Sequence, residues 1–104
     1  VYYLFETKEG VTRGMHAHRN LRQLVIAVRG NCKFLLDNGR ERLELCLDSP
    51  TKGLLIESMI WREMHDFSSD CVLMVLADCH YDESDYIRNY QNFLEIIDGE
   101  LREG

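Results

Sequence analysis

Gly10-Val-Thr-Arg-Gly-Met-His-Ala-His-Arg-Asn-Leu-Arg-Gln-Leu-Val-Ile-Ala-Val-Arg-Gly30 places two histidines, two residues apart, between a glycine-bounded turn and an apolar run from Leu24 to Val28. Side chains alternate across a strand, so His16 and His18 share one face while Met15 and Ala17 take the other. Two imidazoles side by side on the inner face of a sheet can bind a metal or move protons.

The spacing resembles the first motif of the cupin barrels: glycine, five residues, His-x-His, a polar residue at Gln23, six residues, and Gly30. That resemblance implies an all-β fold, a double-stranded β-helix or jelly-roll barrel. Metal-binding cupins carry a glutamate where this chain has Gln23 and a third histidine in a second motif. Aligned from Gly53, that motif puts Met59, Trp61 and Met64 at its proline, glycine and histidine positions. The metal positions would hold His16, His18, Gln23 and Met64. A neutral amide and a thioether suit a hard or borderline divalent ion poorly. His65, one residue on, faces the other way on a regular strand. The expected metal set is therefore none, and the histidine pair points to proton chemistry.

Outward from the motif, 104 residues suit one domain, residues 1–104. The chain opens directly on a strand-like Val-Tyr-Tyr-Leu-Phe, so a missing N-terminal strand or a place within a longer chain is expected. Turn signals recur every eight to twelve residues, as in an all-β sandwich or barrel. Strands are predicted near 2–6, 15–18, 23–29, 31–36, 42–47, 54–57 and 71–77. Gly30-Asn31 marks one reversal, and Asp37-Asn38-Gly39-Arg40 predicts a hairpin with a type I′ turn. Pro50 breaks the sheet. The run Cys71–Ala77 is apolar on both faces and is expected to be the most buried strand. From Ser84 the period changes: Tyr86, Ile87, Tyr90, Phe93, Leu94 and Ile97 predict a short C-terminal helix outside the barrel. Asp82, Ser84 or Asp85 would cap it.

The net charge of −6 disfavours nucleic acid as a partner, which needs a basic stripe. No apolar run reaches the 18 residues of a membrane span, and no secretory signal is visible. Cys32, Cys46, Cys71 and Cys79 show no CxxC spacing, and free thiols in the cytoplasm are the expected reading. Arg13, Arg19, Arg22, Arg29 and Arg62 surround the two motifs. Arg13 is an anion clamp beside a ligand cavity and a solvated loop residue otherwise. Gln23 is read as an inward group orienting a histidine. Arg62, if inward, calls for an anionic partner. Tyr2 and Tyr3 face opposite sides of the first strand, so one points into the cavity. Trp61 and Phe67 are read as hydrophobes of the barrel, and Cys79-His80 with Asp82-Glu83 as a solvated turn.

Tyr-Leu-Phe-Glu, Arg-Gly-Met-His-Ala-His, Gln23-Leu-Val-Ile, Leu47-Asp-Ser-Pro, Lys52-Gly-Leu, Ile60-Trp-Arg-Glu-Met-His-Asp-Phe and Tyr81-Asp-Glu-Ser-Asp-Tyr-Ile-Arg together resemble the sugar 3,4-ketoisomerases, which include the WxcM-like domains. The resemblance spans nearly the whole chain. It implies a metal-free, cofactor-independent barrel acting on a dTDP-linked 4-keto-6-deoxyhexose, and a homodimer with an exchanged N-terminal strand. It implies a catalytic pair in His16 and His18, helped by a first-strand tyrosine, here taken as Tyr2. Arg13 and Arg62 would meet the diphosphate, with Gln23 and Tyr3 completing the substrate-binding set. Three other readings compete: a cupin 3,5-epimerase, a metal-dependent cupin oxygenase and a non-catalytic nucleotide-sugar-binding cupin domain. The configuration at C4 of the product depends on which face of the enediol is protonated, and no residue pattern decides it.

Overall fold

A computed structural model describes residues 1–4 and 12–103, with side chains described as far as residue 99. Gly10 and the last two residues of the predicted strand 2–6 lie outside the described residues. Among the described residues nine strands form two sheets: β1 (Tyr2–Leu4), β2 (Arg13–His18), β3 (Gln23–Arg29), β4 (Cys32–Asp37), β5 (Arg42–Leu47), β6 (Gly53–Ile56), β7 (Trp61–His65), β8 (Val72–Ala77) and β9 (Tyr86–Ile87). One sheet runs β1-β8-β3-β6 and the other β5-β4-β7-β2-β9. Every pairing is antiparallel. The helix α1 (Tyr90–Glu103) packs outside the second sheet. The architecture is the all-β cupin arrangement that the first motif implied. Among the described residues no helix is long and apolar enough to cross a membrane.

The inner faces of both sheets meet in one core built on Val25, Ala27, Phe34, Ile56, Leu73 and Val75, with Phe67 closing it. A second cluster, Ala17, Trp61, Ile87 and Phe93, lies between the second sheet and α1. Strand alternation puts each residue in its cluster. Ala17 turns toward the helix while His16 and His18 turn inward; Trp61 turns toward the helix while Arg62 turns inward.

Several expectations need correcting. The β4–β5 hairpin is where Asn38-Gly39 predicted it, but Asp37 pairs with Arg42, so the loop has four residues. Gly39 has φ +94, whereas Asn38 is not in the left-handed region, so this is no type I′ turn. Side chains supply its bonds: Asp37 Oδ1 accepts from Gly39 N–H, and Asn38 Oδ1 accepts from Arg40 and Glu41 N–H. The strand β7 was missing from the predicted set because Arg62, Glu63 and His65 hide its alternation. The C-terminal helix starts four residues after Tyr86, and Tyr86–Ile87 is a strand paired to β2 instead. Asp82 caps a single 3₁₀ turn, Glu83–Asp85, and Asn89 accepts from Asn92 N–H at the start of α1. The strand β8 buries Leu73 and Val75, but its other face is only half-buried.

Candidate active site

The site begins at a bulge. The register of β2 on β7 slips between Arg13 and His16, and Gly14 sits there at φ +66, a conformation glycine adopts without penalty. Beyond the slip His16 stands opposite Arg62, so both side chains enter the barrel on one face. His18 follows on that face and is wholly buried.

The two rings meet edge to face, with Nε2 of His16 3.1 Å from Nε2 of His18. The Tyr86 ring packs on both, its centroid 5.0 Å from His16 and 4.4 Å from His18. Nδ1 of His18 lies 3.1 Å from Oδ2 of Asp85. Burial, then the Arg62 cation, then His18 lower the His16 pKa to about 3. Burial and Arg62 also lower His18, with Asp85 pulling the other way. A buried imidazole beside a fixed cation disfavours the charged form. Both histidines are thus neutral bases at neutral pH.

Arg62 is 2 % exposed. Its Nη1 donates to Gln23 Oε1 at 2.8 Å and its Nη2 to the Ile60 carbonyl at 3.0 Å, while Nε has no partner among the described residues. The anionic partner expected of an inward Arg62 is not a neighbouring carboxylate. Two neutral oxygens hold it, and burial lowers its pKa to about 10. Gln23 donates onward to the Tyr2 hydroxyl at 3.3 Å. Gln23 is inward as expected, but it orients Arg62 and Tyr2 rather than a histidine. These groups line one cavity with Leu4, Met64 and Val75. Tyr3 is exposed on the opposite face of β1, away from the cavity. Arg13 lies at the start of β2, half-buried, opposite Met64.

Met64 turns into the cavity and His65 away from it, toward Glu44 at 3.3 Å. The donor set does not suit a divalent cation: Gln23 is committed to Arg62, whose own positive charge stands beside the histidines. Sequence reasoning missed Asp85 as a partner of His18, and Tyr86 as its packing surface. The sequence pattern puts Tyr86 in the helix and Asp85 among its candidate caps, and only the pairing of Ala17 with Ile87 and His18 with Tyr86 brings them here. The thiols divide: Cys32 and Cys71 are buried, Cys46 and Cys79 exposed, and all four are free. Burial pushes Cys32 up to about 12, so it stays a thiol.

Residues 1–98 match the family described as FdtA: WxcM-like, C-terminal. The chain belongs to this family. Among WxcM-like relatives, a TDP-4-oxo-6-deoxy-alpha-D-glucose-3,4-oxoisomerase from Aneurinibacillus thermoaerophilus is 53% identical over 97 residues, covering 93% of this chain and 70% of that protein. Among solved structures, a variant of the 3,4-ketoisomerase QdtA from Thermoanaerobacterium thermosaccharolyticum, in complex with TDP-4-keto-6-deoxyglucose, is 40% identical with a TM-score of 0.91, covering 94% of this chain and 71% of that one. ChmJ, a 3'-monoepimerase from Streptomyces bikiniensis, is 14% identical with a TM-score of 0.74, covering 84% of this chain and 49% of that one, a likeness of fold alone.

Proposed function

We propose that this WxcM-like chain is a TDP-sugar 3,4-ketoisomerase that moves the ketone of a dTDP-4-keto-6-deoxyhexose from C4 to C3. The observation that carries the reading is the neutral His16–His18 contact inside the barrel, next to a buried guanidinium whose Nε–H has no partner among the described residues. The C3 hydrogen is acidified by the C4 carbonyl. Its removal gives an enediol, and protonation at C4 completes the shift with no net change of oxidation state. A neutral imidazole accepts such a proton at useful rates. His16 is assigned as the base at C3. His18, with the Tyr2 hydroxyl, passes protons to and from the oxygens.

The burial of Arg62 favours a different task from the diphosphate contact expected of it. A guanidinium deep in the barrel, aimed beside His16, is placed to stabilise negative charge on the enediolate. Arg13, nearer the strand end, remains the candidate for the diphosphate, where a forked guanidinium matches paired oxygens. Gln23 serves substrate indirectly by holding Arg62 and Tyr2, and Tyr3 drops out of the cavity set. A nucleotide-linked substrate agrees with the cytoplasmic setting expected from the thiols. We further propose that the chain works as a homodimer.

The test is NMR of the substrate in deuterated water, beside a TDP-binding titration. His16→Asn is expected to abolish exchange at C3 and to cut turnover by about 10²–10⁴-fold, with TDP binding retained. His18→Asn is expected to keep measurable C3 exchange while slowing formation of the 3-keto product. Exchange at the parent rate in His16→Asn would remove His16 as the base. A parent protein that binds the TDP-sugar without exchanging C3 would support the non-catalytic reading instead.

A further inference from the structure

His18 can pass protons only if its ring is held with a lone pair on the correct nitrogen. We propose that Asp85 is a positioning residue that fixes the tautomer of His18 and so makes the two histidines a single proton-holding unit. Its part in turnover rests on the ketoisomerase reading; the tautomer itself does not.

Asp85 closes the 3₁₀ turn before β9. Its Oδ1 accepts from Asn20 N–H at 2.8 Å, and its Oδ2 accepts from Leu21 N–H at 3.2 Å and faces His18 Nδ1 at 3.1 Å. Burial acts to raise its pKa, but the bonds from Asn20, Leu21 and His18 hold it below the usual carboxylate range. An ionised carboxylate only accepts, so the hydrogen between the two belongs to His18 Nδ1. In a neutral ring this leaves a lone pair on Nε2, aimed at His16 Nε2. On the far side the Gly14 backbone hydrogen-bonds His16 and favours its protonated form, as an accepting carbonyl does.

The 3.1 Å contact then holds one hydrogen, carried by His16 Nε2 and accepted by His18 Nε2. The C–H bond at C3 breaks with its electron pair left on the sugar as enediolate, and an N–H bond forms on the other nitrogen of His16. His18 Nε2 can take over the hydrogen between the rings, and the single positive charge of the pair then faces the Asp85 anion. Delivery to C4 reverses the transfer at the neighbouring carbon. A second proton is opposed by burial, by Arg62 from β7 and by Arg88 beyond β9, while Tyr86 from β9 and the Gln23-bound Tyr2 from β1 complete the surroundings. The pair therefore titrates as one site over the working range rather than as two.

The decisive measurement is two-bond ¹H–¹⁵N NMR of histidine-labelled protein without substrate. The parent should show His18 protonated on Nδ1 and unprotonated on Nε2. Asp85→Asn puts an NH₂ group where one of two accepting oxygens stands and should mix or reverse that tautomer. Turnover on the TDP-sugar should fall about 10²-fold in Asp85→Asn with KM near the parent value. The acid limb of kcat should move to lower pH, because the protonated pair has lost its anion; Asp85→Glu should bring it partly back. A parent His18 protonated on Nε2, or an Asp85→Asn spectrum unchanged from the parent, overturns the proposal. So does parental turnover in Asp85→Asn. Should that variant not fold, the parent spectrum alone decides. Should the chain prove inactive on TDP-sugars, the spectra still test Asp85, and only the ketoisomerase reading fails.

Discussion

Arg62 is the hardest side chain in the chain to bury, and the site is built around that difficulty. Two neutral oxygens accept one N–H each from Nη1 and Nη2, and Nε has no partner among the described residues. A buried cation so incompletely satisfied destabilises the fold unless something else requires it. Arg62→Met removes the charge at similar length. It is expected to leave the melting temperature unchanged or higher, and to cut kcat by about 10²–10³-fold, the usual loss when an oxyanion donor is deleted. TDP affinity should stay near the parent value, since the group faces the sugar; a parallel Arg13→Gln should show the opposite split, weaker TDP binding with kcat little changed. A large loss of TDP affinity in Arg62→Met would return Arg62 to the diphosphate. At this scale the shared face of the histidine pair was legible, because period-two alternation states which residues share a face, whereas Gln23 was marked by the motif spacing and Arg62 by the family resemblance. Asp85 was not, since it is 67 residues from His18 and nothing local marks such a contact.

At the scale of elements, α1 is tied to the β4–β5 hairpin through one buried carboxylate. Asp37, 2 % exposed, accepts from the Tyr90 hydroxyl at 2.6 Å and from Arg42 Nε at 2.9 Å, and holds the Gly39 N–H with its other oxygen. The Arg42 guanidinium also lies over the Tyr90 ring, 5.4 Å from its centroid. Tyr90→Phe keeps the ring against Trp61 and Phe93 and deletes one bond to a charged acceptor. The expected loss is about 1.5–3 kcal/mol in urea unfolding, with turnover close to the parent. A variant as stable as the parent would mean that Arg42 and Gly39 suffice to hold Asp37. The helix itself was legible from its three- and four-residue spacing, yet its start was not. Tyr86 and Ile87 continue the apolar period of the helix, and only pairing to Ala17 and His18 turns them into a strand. The hairpin shows the same limit: Asn-Gly located the turn, while side-chain acceptors on Asp37 and Asn38 chose its length.

For the whole molecule, the four-stranded sheet has an apolar outer face. Tyr3, Val28 and Leu55 are exposed on it, and Leu24, Met74 and Leu76 lie half-buried among them. The apolar sequence of β8 reads as burial on both faces, and among the described residues only one face is fully covered. A sheet packed on its inner side by the core and apolar on its outer side is suited to a second copy. The sequence suggested a homodimer by pairing at a strand edge; the distribution of side chains favours face-to-face packing of this sheet, with or without strand exchange. Light scattering at micromolar concentration should therefore give twice the 12.2 kDa chain mass. Val28→Glu with Leu55→Glu places two charges on the face without touching the cavity, and should shift the mass toward that of a single chain. The His16–His18 proton chemistry should survive in that variant as C3 exchange at saturating substrate, because both rings, Arg62 and Asp85 come from one chain. A parent protein that scatters as a monomer would sink the dimer, and a dimer untouched by the two glutamates would move the interface off this face and back to a strand edge.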